Sequence, residues 1–226
     1  MKRIKRSSNI CVICGINPAT SWDHLPPDGM FPKPKPGDQI EVPACDTCNS
    51  GSSDSDQIFQ VFVGLAAGHG AAGEKMFKEH VTKILKSNRK LKRSIAQTLR
   101  YVDLKTPAGI FLGRAEAVLQ DSKPYDAVIE RIVRGLHFYH NGHILGDKVD
   151  IKIRWHRELT EGLFNMASSW PMGSVGGDQF IYKYAIFKEE PLASAWFLEF
   201  FKSTWSSATI LPKNRDGEQA NQPDRE

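Results

Sequence analysis

The chain has 226 residues, with 40% hydrophobic and 25% charged residues, and its 30 Lys and Arg against 26 Asp and Glu leave a net charge of +4. That composition excludes collagen, coiled coil and disorder throughout, and the length predicts one or two domains. A chain of this size buries roughly 70–75% of its unfolded surface, so it needs no disulfides to hold a core. The mildly basic balance allows a polyanionic partner without requiring one. The most apolar run, Ile58 to Gly68, is interrupted by Gln60 and falls short of the roughly 20 residues that span a bilayer. The opening MKRIKRSSN is basic like a signal n-region, but ICVICGI is too short for the apolar stretch that should follow. The expectation is a soluble, cytoplasmic protein with no membrane partner.

The first motif along the chain is a pair of C-x-x-C knuckles, Cys11/Cys14 and Cys45/Cys48, which together hold all four cysteines. Two such pairs read as a zinc site rather than a disulfide framework. Two intervening residues let a tight turn aim both thiolates at one ion, and two turns complete a tetrahedral shell with Zn–S near ~2.3 Å. Gly15 after the first pair and Asn49-Ser50-Gly51 after the second suit such turns. A redox dithiol would need only one pair.

Between the knuckles the chain reads Ser21-Trp22-Asp23-His24-Leu25-Pro26-Pro27, then Glu41-Val42-Pro43-Ala44-Cys45, and Asn49 follows Cys48. C-x-x-C-G, a D-H dyad before proline, and P-x-C-x-x-C-N resemble the HNH endonuclease family over about Cys11 to Phe59, a quarter of the chain. The resemblance implies a ββα-metal unit on a treble-clef-like zinc scaffold. It further implies that Asp23 is a carboxylate ligand of a catalytic divalent cation, that His24 is the general base, and that Asn49 ligates the cation through its amide oxygen. The zinc of Cys11, Cys14, Cys45 and Cys48 would be structural and separate.

These residue types suit that chemistry. Mg²⁺ takes hard oxygen ligands and keeps several waters, so one carboxylate and one amide suffice when a phosphate supplies more. A histidine with a pKa near ~6.5 can take a proton from water at neutral pH. Neighbouring side chains on a strand point oppositely, so Asp23 and His24 need a bend to converge, and Pro26-Pro27 is consistent with one. The chain departs from the family in two places. Asp38 to Glu41 lacks the Asn whose backbone orients the histidine in many relatives, and no Lys follows Asn49; Lys33 and Lys35 are candidates for charge stabilisation. Asp54 and Asp56 leave the ligand set open. Asp56 is a possible alternative cation ligand, while Ser53-x-x-Asp56 also reads as a helix capping box.

Six of the 13 prolines lie between Pro26 and Pro43 and predict a stiff, exposed loop. From Asp56, the residues Ile58, Phe59, Phe62 and Leu65 or Ala66 predict a helix that stops at Gly68-His69-Gly70. Further helices are expected over Ala72–Ser87 and Leu91–Tyr101. From Lys78 to Lys105, nine Lys and Arg oppose two acids. Such a run reads as a solvated face or, beside a nuclease, as a phosphate-binding surface, with Arg89, Lys90, Lys92 and Arg93 as candidate nucleic-acid contacts. Strands are expected within Asp103 to Gln120. A helix over Tyr125–Tyr139 follows, with Tyr125, Val128, Ile129, Ile132, Val133 and Leu136 on one stripe, stopped by Asn141-Gly142. His137, His140 and His143 near its end suit a helix C-terminus better than a metal site. Strands over Asp150–Trp155, Gln179–Lys188 and Ala195–Lys202 complete the pattern, and the polar tail from Lys213 is expected to be disordered.

The sequence thus predicts an α+β protein: a zinc-bound ββα-metal module at 1–68, then an α+β domain at 69–212 made of a helical segment and a mostly antiparallel sheet, then a tail at 213–226. The expected activity is metal-dependent phosphodiester hydrolysis in nucleic acid, DNA before RNA, with structural Zn²⁺ and catalytic Mg²⁺ or another divalent cation. The rivals are a non-catalytic zinc module that binds nucleic acid and a zinc-stabilised protein-interaction domain. Oligomeric state is not readable from the sequence.

Overall fold

A computed structural model describes residues 8–67, 70–106, 108–118, 121–156 and 159–213. The fold is α+β, as the sequence predicts. Strands β1 (Ser21–Leu25) and β2 (Ile40–Ala44) form an antiparallel hairpin in which Asp23 faces Val42 and His24 faces Glu41. The short helix α1 (Asp46–Asn49) carries the second cysteine knuckle, and a 3-10 turn leads into α2 (Ser53–Ala66). The order strand, strand, helix is therefore present next to the cysteines.

The polypeptide continues through α3 (Ala71–Met76), a π-helical turn at Phe77–Val81, α4 (Thr82–Ser87) and α5 (Arg89–Thr98). Strands β3 (Leu99–Lys105) and β4 (Phe111–Val118) form a separate two-stranded ribbon. The long helix α6 (Lys123–Asn141) ends on Gly142, whose φ of 80° is the left-handed conformation that closes helices. Beyond it lie β5 (Val149–His156), α7 (Glu161–Ser168), β6 (Met172–Val175), β7 (Phe180–Ile186), β8 (Ser194–Phe200) and β9 (Thr204–Pro212), the strands forming one antiparallel sheet in the order β5-β9-β8-β7-β6.

One buried cluster joins these parts. Leu25, Phe31, Val42 and Phe59 pack with Ile129, Ile132 and Leu136 of α6 and with Phe180, Trp196 and Leu198 of the sheet. The Phe59 and Phe200 rings meet edge to face at 5.2 Å between centroids. The α6 stripe, the hairpin and the five-stranded sheet thus converge on a shared interior, while Cys11, Ala44 and Cys45 form a separate small buried cluster. No described helix is long and apolar enough to cross a membrane.

Three local expectations need correction. The proline-rich loop is not wholly exposed: Met30 and Phe31 are 1% exposed and anchor it in the core. The third helix stops at Thr98 because Leu99 to Lys105 pair with β4 in the ribbon. His137 is buried, its Nδ1 2.9 Å from the Ser194 hydroxyl and its Nε2 3.0 Å from the Pro191 carbonyl. Burial holds its pKa down at about 4, so it is a neutral hydrogen-bonded ring rather than a cation at the helix end. The expectation of a disordered tail falls, from residue 214 onward, outside the described residues.

Candidate functional site

The cysteines come together from two turns. In the first, Gly15 N–H donates to the Cys11 carbonyl at 2.8 Å, and Gly15 adopts φ +70°. A Cβ at Gly15 would lie 2.7 Å from Gly146 Cα, so both the conformation and the close approach demand glycine. In the second, Cys48 and Asn49 N–H donate to the Cys45 carbonyl at 3.1 and 3.0 Å. Val12 N–H donates to the Pro43 carbonyl at 2.9 Å and ties the first turn to β2. The four sulfurs all lie within 4.8 Å of one another.

Such a set fits one metal ion, and its chemistry is that of a structural zinc. The thiols perturb one another strongly. Burial and the neighbouring sulfurs push the Cys48 thiol up. Burial also acts upward on Cys45, but the Cys48 N–H, the Asn17 amide and the adjacent thiols outweigh it and hold it at about 7. A bound dication would resolve this competition, with all four held as thiolates. Asn17 Nδ2 lies 3.7 Å from Cys45 Sγ, a second-layer contact of the kind that orients metal ligands.

β1 sends Asp23 and His24 to opposite faces. The strand pairs with β2 without interruption from Ser21 to Leu25, so its pleat alternates regularly. The break at the prolines comes only after the dyad. Asp23 and Leu25 face inward. Asp23 is 4% exposed, and its Oδ2 lies 3.1 Å from Nε of Arg131, itself 4% exposed. The two atoms form an ion pair but lack hydrogen-bond alignment. Arg131 Nη2 donates to Asp56 Oδ1 at 2.6 Å, and the Ser52 hydroxyl donates to Asp56 Oδ2 at 3.3 Å. One guanidinium therefore bridges carboxylates of β1 and α2. Burial raises the Asp23 carboxyl to about 6, against the opposing pull of Arg131 and with help from the Asp56 charge. Asp56 is raised by burial as well.

His24 lies on the other face, a third exposed, with Nε2 3.2 Å from Oε1 of Glu41 directly across the hairpin. Asp28 is near enough to feel the His24 charge; it pairs with Lys35 Nζ at 2.8 Å and accepts from Gln39 Nε2 at 2.9 Å. Lys35 is thus committed to Asp28. Lys33 donates its backbone N–H to Glu79 at 3.1 Å. Asn49 reaches β1, its Nδ2 donating to the Ser21 hydroxyl and the Trp22 carbonyl, both at 3.1 Å. The structure therefore brings Asn49 to the strand that carries the dyad, Asp23 to Asp56, and Asp23 and His24 to different faces. Asp54 lies in the first turn of α2 and makes no ion pair among the described residues.

Sequence reasoning missed Arg131 and Glu41. Arg131 is a cation on the flank of the α6 apolar stripe, and Gly135 four residues on marks the same face. A Cβ at Gly135 would fall 2.3 Å from Leu25 Cδ1. Two residues of strand and four of helix both advance about 6–7 Å, so Arg131 and Gly135 match Asp23 and Leu25. A cleft of about 540 Å³ between the knuckles and α6 borders Cys14, Cys48, Ser52, Arg131 and Arg134; His24 does not line it.

Arg89, Lys90, Lys92 and Arg93 are exposed on α5 and make no ion pair among the described residues. Asn88 caps the helix by accepting from Leu91 N–H at 3.0 Å, and Leu91 is buried with Val61 and Val81. The cations therefore project from an anchored helix. His140 Nε2 lies 3.0 Å from the Tyr182 hydroxyl, and its ring stacks on Tyr184. Among the described residues, the four cysteines are the group placed to hold a metal. Comparison with family models, curated proteins and solved structures finds no match for this chain.

Proposed function

We propose that this protein is a zinc-stabilised, metal-dependent endonuclease of the HNH type that hydrolyses phosphodiester bonds in nucleic acid, DNA before RNA. The observation that carries this reading is the His24–Glu41 pair on the open face of a hairpin that runs through a cysteine knuckle into a helix. The Glu41 carboxylate lies 3.2 Å from His24 Nε2 and favours the tautomer protonated there, which leaves Nδ1 as the proton acceptor for the attacking water. The carboxylate also stabilises the imidazolium once the proton has moved. Glu41 thus supplies the orientation that a backbone carbonyl provides in relatives.

Asn49 offers an amide oxygen beside β1, and Asp23 and Asp56 are hard oxygen donors of the kind a divalent cation takes. Arg131 stands between those two carboxylates, so a cation ligated there competes with the guanidinium. A bound divalent cation would supply Lewis-acid stabilisation of the phosphorane and of the leaving 3′-oxygen. Arg89, Lys90, Lys92 and Arg93 would contact phosphates and give salt-dependent, sequence-independent affinity.

A second reading, a zinc module that binds nucleic acid without cutting it, is favoured by the engagement of Asp23 with Arg131. Plasmid nicking with and without added Mg²⁺ or Mn²⁺ separates the two. Cation-dependent nicking supports the endonuclease; binding without nicking at any cation concentration supports the module.

A further inference from the structure

The β3–β4 ribbon has no place in the chemistry described so far. Every residue of β3 is exposed and no residue of β4 is buried. A two-stranded ribbon is marginal in water unless something covers its apolar face. The two faces differ. On one, Arg114 pairs with Asp103 at 3.3 Å and the Tyr101 hydroxyl donates to Glu116 at 3.3 Å. On the other, Val102 lies opposite Ala115 and Leu104 opposite Gly113; a register shift then sets Phe111 opposite Lys105 at the end of the ribbon. Val102, Leu104 and Phe111 are all exposed.

Charge identifies the occupant. The basic helix α5 runs directly into β3 at Thr98–Leu99. From Arg89 to Val118 the chain holds seven Lys and Arg and two acids, a balance of +5 within a protein whose total is +4, so the remainder is slightly acidic. A second copy seated on this ribbon would bring two such segments together, and their repulsion opposes it. A polyanion with an apolar recess between its charges matches both features. The major groove of B-form DNA, about 12 Å wide, admits a two-stranded ribbon and presents thymine methyls to apolar side chains. The major groove of A-form RNA is too narrow for one.

We infer that the β3–β4 ribbon is an arm that enters the major groove of duplex DNA, with Val102 and Leu104 on its apolar face and Phe111 at its tip contacting the bases, and α5 fastening the flanking phosphates. This deepens the nucleic-acid reading above and does not depend on catalysis. The three apolar residues lie outside the core, so replacing them leaves the fold intact.

The test is fluorescence anisotropy without added divalent cation, using a duplex of about three helical turns as DNA and as RNA, with the full chain and with Val102→Ser/Leu104→Ser/Phe111→Ser. The wild type should prefer the DNA duplex. The triple variant should bind DNA roughly 5- to 100-fold more weakly, the range expected when base-edge interactions are removed, with an unchanged salt slope because its cations remain. Equal affinity of wild type and variant for DNA, or equal affinity of the wild type for both duplexes, would overturn the proposal. So would a wild-type dimer in sedimentation that the triple variant converts to monomer, which would give the ribbon to a second copy. A chain that shows the predicted binding but never nicks plasmid would overturn the endonuclease reading and leave this one standing.

Discussion

Asp23 on β1 and Arg131 on α6 form an ion pair 3.1 Å long inside the protein, each 4% exposed, and Asp56 on α2 closes it at 2.6 Å from the same guanidinium. Three elements therefore meet on one buried cation. Removing it leaves two carboxylates without a countercharge, whereas the intact triad roughly offsets its own desolvation.

Arg131→Met should destabilise the fold by about 3–5 kcal/mol, the usual loss when one partner of a buried pair is removed. Adding Asp23→Asn to that variant should recover part of the loss, because the stranded charge disappears. Urea unfolding of wild type, both single variants and the double variant measures the coupling. Additive effects would mean that the two side chains do not interact.

This triad shows where the sequence was legible and where it was not. The four-cysteine set was readable because C-x-x-C spacing is a local constraint, and α6 because its apolar stripe repeats with the helical period. β9 was missed because two of its inward positions, Ser206 and Ala208, read as polar and small, although both are buried. The partner of Asp23 was missed because it lies more than a hundred residues away, joined only by tertiary packing. The dyad was expected to converge at a bend, but its neighbours on β2 keep the pleat regular. Glu41 was passed over because its role exists only once the hairpin register sets it across from His24.

Metal analysis should find about one zinc held by the four thiolates per chain. Cys11→Ser should lose that zinc and lower the unfolding temperature. The damage should extend beyond the knuckles, because Val12 and Val42 belong to the same buried cluster as the sheet. Zinc retained at full occupancy in Cys11→Ser would contradict a four-sulfur site.

Acid should reveal two opposed titrations. His137 has its pKa lowered by burial from 6.5 to about 4, so the unfolded chain takes a proton that the folded ring refuses. Its contribution falls as pH drops from 6.5 to 4, by up to about 3 kcal/mol. Asp23 is raised by burial from 3.8 to about 6, so its contribution is present below pH 3.8 and is lost as pH rises to about 6. The wild-type dependence between pH 4 and 6 is therefore muted. Asp23→Asn should lose stability more steeply on acidification, and His137→Gln less steeply, in denaturant midpoints measured across that range. Parallel curves for all three proteins would contradict both assignments.

Neutralising Arg89, Lys90, Lys92 and Arg93 together should weaken nucleic-acid binding and flatten its logarithmic salt dependence by roughly one unit for each phosphate left unneutralised. Affinity measured at several salt concentrations checks this. An unchanged slope would assign the exposed face of α5 to solvent.

Asp23→Ala should slow cleavage by weakening the divalent cation, and excess Mg²⁺ or Mn²⁺ should restore part of the rate. Rates across a cation titration report the effect. A defect of the same size at every concentration would mean that Asp23 acts through Arg131 and the fold rather than through the cation.

The most direct test of the endonuclease reading is plasmid nicking by wild type and His24→Ala at saturating divalent cation. His24 is proposed to act on the attacking water, so the variant should keep its zinc, its fold and its nucleic-acid affinity. It should lose roughly 10²–10⁴-fold in cleavage rate, with no rescue by added metal. A His24→Ala protein that nicks plasmid at the wild-type rate would contradict the mechanism.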